Sequence, residues 1–218
     1  MMNQRKTIVT ELGKAGLIAV VRARSPQQVM PLAAALLEGG IRAIEITFTT
    51  PDAPQAIAAV VKALGDAAVI GAGTVLNLDQ CHQALDVGAQ FVVSPIMRPS
   101  LLEPCHRAGC PVMLGAYSPT EAQLAHEAGS DLIKIFPADG LGPNYIKALK
   151  APLPHLPIVP TGGVNLDTME AFLRAGCHAL GVGSSLISQA ILQQSDWSAL
   201  RERAQAFSQG FQQIAKTL

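Results

Sequence analysis

The chain has 218 residues, with 16 basic against 16 acidic, and is 49% hydrophobic, 15% charged and 4% aromatic. Zero formal net charge, with Arg5-Lys6 as the one adjacent basic pair, argues against nucleic-acid and membrane partners. The apolar run from Ala15 to Val21 is too short to span a bilayer and ends in Arg22 without a cleavage pattern, so a cytoplasmic location is expected.

In chain order, the first predicted element is a helix over about 3–14. Strand-like runs follow at about 17–22, 41–47, 68–72, 90–94, 111–115, 131–136, 157–161 and 179–183, each succeeded by a helical stretch. Glycines mark the expected helix ends at Gly39, Gly65, Gly88, Gly109, Gly129 and Gly176. Helix starts are marked by Ser25-Pro26 and Thr50-Pro51, where a capping hydroxyl precedes proline at the first helical position. Ser118-Pro119-Thr120-Glu121 is a capping box, and Asn77 and Asn165 cap two more helices. A last helix over about 196–216 carries Trp197, Leu200, Ala204, Phe207, Phe211 and Ile214 on one face, which packs it on the exterior.

Eight strand–helix units in this length favour an α/β fold of the (β/α)8 TIM-barrel kind with an extra N-terminal helix plugging its bottom. A doubly wound open sheet is the alternative. With no linker or composition break, residues 1–218 read as one domain. Cys81, Cys105, Cys110 and Cys177 lack paired zinc spacing, and the adjacent Cys-His pairs point in different directions on a helix. No metal and no cofactor are expected.

Two strands contain a residue type that strands of this kind exclude. Lys134 stands in the middle of Leu132-Ile133-Lys134-Ile135-Phe136, and Glu45 in Ala43-Ile44-Glu45-Ile46-Thr47. Charged groups go inside only when paired. Period-two alternation sends Leu132, Lys134 and Phe136 to the barrel interior, and Ala43, Glu45 and Thr47 likewise. An amine taken out of water loses its proton more readily and becomes a carbonyl nucleophile, with the carboxylate as proton carrier. The bland reading is a buried ion pair, a weak stabiliser after desolvation.

Glycine-rich segments end the seventh and eighth strands: Thr161-Gly162-Gly163 and Gly181-Val182-Gly183-Ser184-Ser185. Barrels bind phosphate at these two loops, because glycine lets backbone N–H groups approach the oxygens and a serine adds a hydroxyl. Ordinary turn chemistry is the alternative. Gly71-Ala72-Gly73-Thr74 closes the third strand, where it is either a plain turn or a seat for a small carboxylate. Arg22, ending the first strand, is placed to reach an anionic substrate unless it is a surface arginine.

Taken in order, Glu45-Ile46-Thr47, Gly71-Ala72-Gly73-Thr74-Val75, Val93-Ser94-Pro95, Lys134-Ile135-Phe136-Pro137, Gly142-Pro143, Pro160-Thr161-Gly162-Gly163-Val164 and Gly181-Val182-Gly183-Ser184 resemble the class I aldolases acting on 2-keto-3-deoxy-6-phosphogluconate (KDPG), a family that includes 4-hydroxy-2-oxoglutarate (KHG) aldolases. The resemblance covers about residues 15–190. It implies a homotrimeric barrel taking a phosphorylated keto acid, with Lys134 forming a Schiff base and Glu45 shuttling protons. Thr74 and Gly73 would hold the pyruvate carboxylate, with Pro95 and Phe136 lining the pocket. Arg22, Thr47 and Thr161 join the substrate-binding set, and Gly162, Gly163, Gly183 and Ser184 take the phosphate. Many members have arginine four residues after the glutamate, where this chain has Thr49, so a charge contact to the substrate is missing unless Arg22 supplies it. Thr161 matches gluconate-type members, whereas galactonate-specific relatives tend to have valine. The alternatives are KHG or 2-keto-3-deoxy-6-phosphogalactonate (KDPGal) aldolase activity, a phosphosugar isomerase or epimerase, and a non-catalytic sugar-phosphate binder.

Overall fold

Leu17-Ile18-Ala19-Val20-Val21 is apolar throughout and buried on both faces, which suits a strand enclosed by helices. The computed structural model describes residues 2–218. Among these it forms eight parallel strands: β1 (Leu17–Val21), β2 (Ala43–Thr47), β3 (Val69–Gly73), β4 (Val92–Val93), β5 (Val112–Ala116), β6 (Leu132–Ile135), β7 (Ile158–Pro160) and β8 (Leu180–Val182). They follow the order β7-β6-β5-β4-β3-β2-β1-β8. The seam between β7 and β8 closes through a parallel bridge from Thr161 to Gly181, and the His178 N–H donates to the Ile158 carbonyl at 2.8 Å. Closure excludes the open-sheet alternative, and the fold is a (β/α)8 barrel.

Helix α1 (Met2–Ala15) precedes the barrel. Helices α2 (Pro26–Glu38), α3 (Ala53–Leu64), α4 (Leu78–Asp86), α5 (Leu102–Arg107), α6 (Pro119–Glu127), α7 (Gly142–Lys150) and α8 (Met169–Arg174) follow strands β1 to β7 in turn. After β8 come α9 (Gln189–Gln194) and α10 (Trp197–Ala215). Among the described residues no helix is long and apolar enough to cross a membrane.

The strands divide the apolar residues as their alternation predicts. Ile44, Ile46, Ile133 and Ile135 join the outer core beneath the helices. Ile18, Ala43, Phe91, Val93, Met113, Leu132, Val159 and Ala179 fill the barrel interior, and Ile8 and Leu12 of α1 plug it from below. Leu200, Ala204 and Phe207 bury one face of α10, which packs along α2.

Several local expectations need correction. Six strands are shorter than predicted, while β3 and β5 keep five residues each, shifted by one. β4 keeps two residues, although Gln90 N–H and Ser94 N–H still bond neighbouring segments at 2.7 and 3.0 Å. Arg22, Phe136 and Thr161 therefore belong to the rim beyond the strand ends. Thr50 is not a helix cap. Its hydroxyl turns inward to accept from the Ala23 N–H at 3.1 Å, and α3 starts later, after Asp52. Ser25 occupies the cap position of α2, but its side chain makes no capping bond. Asn165 caps a turn ahead of α8, accepting from the Asp167 and Thr168 N–H groups, and Thr168 holds the cap position itself. Gly39 and Gly65 do end α2 and α3, but with negative φ. The Ser118–Glu121 box is formed on both sides, and hydrogen bonds from the Tyr117 and Ser118 backbone hold the Glu121 carboxyl below its ordinary range.

The thiols of Cys81 and Cys105 lie 3.3 Å apart between α4 and α5, both buried. Their hydrogen bond and burial push the Cys81 thiol up, so it stays protonated and unreactive. At the bottom of the barrel, Asp131 ties four segments together. It accepts from the Val112 N–H at 2.9 Å, meets His106 Nε2 at 3.0 Å, and lies 3.0 Å from Arg5 Nε of α1. The Arg5 contact is an ion pair without hydrogen-bond alignment.

Candidate active site

The inward positions of β2 and β6 bring Glu45 and Lys134 together across the barrel. Lys134 Nζ donates to Glu45 Oε1 at 3.2 Å and lies 3.5 Å from Oε2. Both residues are closed off from solvent, at 3% and 2% exposure. The Phe136 ring centroid is 5.5 Å from the same ammonium nitrogen. A buried amine touching a carboxylate is chemically equipped to attack a carbonyl carbon and to move a proton at the adjacent atoms.

Space for this pair comes from glycine at inward strand positions. A Cβ on Gly73 would stand 2.1 Å from Glu45 Oε1. Gly115, the register partner of Lys134, leaves room for the Pro95 backbone, whose oxygen lies 2.1 Å from where its Cβ would be. Gly181 does the same for Thr161 Oγ1, at 2.2 Å. Below this level the interior is apolar and filled; at this level it is polar. Glycine inside a strand signals such close approach.

Thr74, just past β3, has φ of 57°. For a β-branched residue this is a strained conformation, and such strain concentrates where a loop must present its groups to a ligand. Its N–H has no acceptor among the described residues. Thr47 is spent structurally: its hydroxyl donates to the Val21 carbonyl at 3.0 Å. The Thr49 hydroxyl, 2.7 Å from Thr47 Oγ1, donates to it in turn.

At the C-terminal rim a cavity of about 420 Å³ is lined by Arg22, Phe136, Thr161, Gly162, Gly163, Gly183 and Ser184, with Val20, Asp139, Val164, Asn165 and Ser185. Gly162 and Gly163 have φ of 101° and 70°, left-handed values that glycine adopts freely. The backbone N–H groups of Gly163, Gly183 and Ser184 find no acceptor among the described residues, while that of Gly162 is taken up by the bridge to Gly181. Three free donors beside an arginine form a seat for an anion.

The cavity thus gathers seven of the predicted residues. Lys134, Glu45 and Gly73 lie deeper along the barrel axis and are not part of its lining, with Phe136 as the link between the two levels. Thr74 and Pro95 stand on the rim at the ends of β3 and β4, outside that lining. Sequence reasoning passed over Gly115, whose signal was a glycine at an inward strand position, and Asp139 and Asn165. No local pattern marks those two; only the approach of the sixth and seventh loops puts them in the cavity.

A filled barrel floor, an enclosed amine–carboxylate pair and an anion seat at the rim are the features of an aldolase barrel. The model of the KDPG and KHG aldolase family matches residues 8–202, and the chain belongs to this family. It is 40% identical over 180 residues to a 2-dehydro-3-deoxy-phosphogluconate aldolase of Treponema pallidum, covering 82% of this chain and 85% of that protein. It is 38% identical over 174 residues to the 2-dehydro-3-deoxy-6-phosphogalactonate aldolase of Escherichia coli K12, covering 79% and 85%. The solved structure of KDPG aldolase from Legionella pneumophila, with pyruvate captured as a covalent carbinolamine, superposes with a TM-score of 0.84 at 30% identity over 92% of this chain and 98% of that one.

Proposed function

We propose that this enzyme reversibly cleaves 2-keto-3-deoxy-6-phosphogluconate to pyruvate and glyceraldehyde 3-phosphate through a Schiff base on Lys134, the C–C cleavage of the Entner–Doudoroff pathway. The observation that carries the reading is the buried Lys134–Glu45 pair at 3.2 Å beneath a rim cavity rich in free N–H donors. The Lys134 amine adds to the C2 ketone, and loss of water leaves a protonated imine. Glu45 takes the C4 hydroxyl proton as the C3–C4 bond breaks. The bond electrons pass to the imine, giving an enamine, and the aldehyde departs. Glu45 returns a proton to C3, and hydrolysis releases pyruvate and the free amine. Thr74 and Gly73 hold the carboxylate, Thr47, Pro95, Phe136 and Thr161 shape the pocket, and Gly162, Gly163, Gly183 and Ser184 hold the phosphate. Arg22 supplies the cation that Thr49 does not. Binding energy at the phosphate, remote from the reacting carbons, orients them.

The Legionella relative captures pyruvate covalently, which supports an imine route here. A second reading, cleavage of the galactonate-type substrate that differs at C4, is favoured by the likeness to the E. coli enzyme. A side-by-side assay of the two phosphorylated keto acids and 4-hydroxy-2-oxoglutarate separates these. The whole chain acts as one barrel domain, in the cytoplasm, as a homotrimer. Exposed Leu76, Ile96 and Tyr117, on the loops after β3, β4 and β5, and Leu78 at the start of α4 support a subunit contact on that rim.

The direct test is reduction with borohydride in the presence of pyruvate, followed by proteolysis and mass spectrometry. The expected product is a covalent adduct on Lys134, lost in Lys134→Met. No adduct at saturating pyruvate, or one on another lysine, sinks the aldolase reading.

A further inference from the structure

The side chains lining the rim cavity differ in what they can exchange with a ligand. Arg22 can only donate, while Thr161 and Ser184 can donate or accept. The Asn165 oxygen already accepts from the Asp167 and Thr168 N–H groups, both at 2.9 Å, which fixes the amide and leaves its NH2 group to donate. The Ser185 hydroxyl donates to the Val164 carbonyl. Among the described lining residues, Asp139 is the one side chain confined to accepting, and it has no hydrogen-bond or ion-pair partner of its own. Its backbone also packs closely on Gly162 and Gly163, while the carboxylate is exposed. Its Oδ1 stands 3.5 Å from where a Cβ on Gly162 would be, and its Cα 2.8 Å from the corresponding point on Gly163. Asp139 therefore faces the donor-rich loop, five residues beyond Lys134 on the same strand and loop.

A bare anion needs donors alone, and a carboxylate beside it is a liability. A ligand carrying a hydroxyl next to its anionic group needs donors for the anion and one acceptor for the hydroxyl. The cavity has this mixed set. We infer that Asp139 is a specificity-determining residue that accepts a hydrogen bond from the substrate hydroxyl adjacent to the phosphate-bearing carbon. The inference rests on the aldolase reading above, in which that hydroxyl is the one on C5 of the keto acid, contributed by C2 of the aldehyde. Substrates lacking it leave the Asp139 carboxylate without a partner.

The test runs the reaction in the condensing direction, with pyruvate and either glyceraldehyde 3-phosphate or 3-oxopropyl phosphate. These aldehydes differ by the one hydroxyl. A hydrogen bond to a charged group corresponds to roughly a tenfold to hundredfold preference in kcat/KM for the hydroxylated aldehyde. In Asp139→Ala and Asp139→Asn the ratio is expected to fall toward one through loss on the hydroxylated aldehyde, with Asp139→Glu recovering part of it. The carboxylate is exposed and unpartnered, so these variants should fold. A ratio that stays put in both variants overturns the inference. So does an equal gain on both aldehydes, which would show that the carboxylate repels the anion. A wild-type enzyme that exchanges pyruvate protons with solvent yet shows no hydroxyl preference overturns the Asp139 role alone. Absence of that exchange overturns the aldolase reading, and this inference with it.

Discussion

Glu45 occupies volume that exists only because residue 73 has no side chain, and its carboxylate has the Lys134 ammonium as its hydrogen-bond partner. The pair costs desolvation that its mutual attraction does little more than offset, so stability does not explain its presence. Under the proposed function, proton transfer does. Glu45→Gln keeps the volume and the hydrogen bond but cannot carry a proton. It is expected to retain pyruvate binding and adduct formation while turnover falls by roughly a hundredfold or more. Single-turnover cleavage and pyruvate proton exchange measure this, and near wild-type rates in both would assign Glu45 a structural role.

At the scale of elements, the site depends on where strands stop. β7 ends at Pro160, the bridge from Thr161 to Gly181 closes the barrel, and the chain then turns through two left-handed glycines. That turn leaves N–H groups free at the rim instead of in a ladder. Gly163→Val places a branched side chain against Asp139 in a conformation valine resists. Phosphorylated substrates are expected to lose roughly tenfold or more in kcat/KM relative to unphosphorylated ones. An unchanged ratio between the two would move the phosphate elsewhere and favour 4-hydroxy-2-oxoglutarate as substrate.

Across the whole molecule, the proposed chemistry and the stabilising contacts sit at opposite ends of the barrel. The C-terminal rim carries open, strained and unpaired groups, whereas the bottom is plugged by Ile8 and Leu12 and stitched by Asp131 to α1, α5 and β5. Asp131→Asn removes the charge that Arg5 and His106 face, and is expected to lower unfolding free energy by about 1–3 kcal/mol. Chemical denaturation reads this directly. The kcat of folded protein should stay within about twofold, since the change lies at the far end of the strands; a large loss of kcat without loss of stability would contradict the separation.

What the sequence by itself determined was local in origin. The strand–helix repeat, the Ser118 box, the Asn77 cap and the inward parity of Lys134 and Glu45 all follow from periods and offsets of a few residues. Glycine at 73, 162 and 163 was likewise legible as a place where backbone must bend or approach closely. The tertiary structure alone decided the rest. Thr50 abandons its expected cap for the Ala23 N–H, 27 positions away, because the first two βα loops pack together. Gly115 matters through Pro95, and Asp139 through Gly162, neither pair being neighbours in sequence. Lys134 and Glu45 are 89 positions apart, and parity puts both inside the barrel without saying at which level. Their meeting is set by the stagger of strands around a closed ring, which depends on every register between them and is written in no single segment.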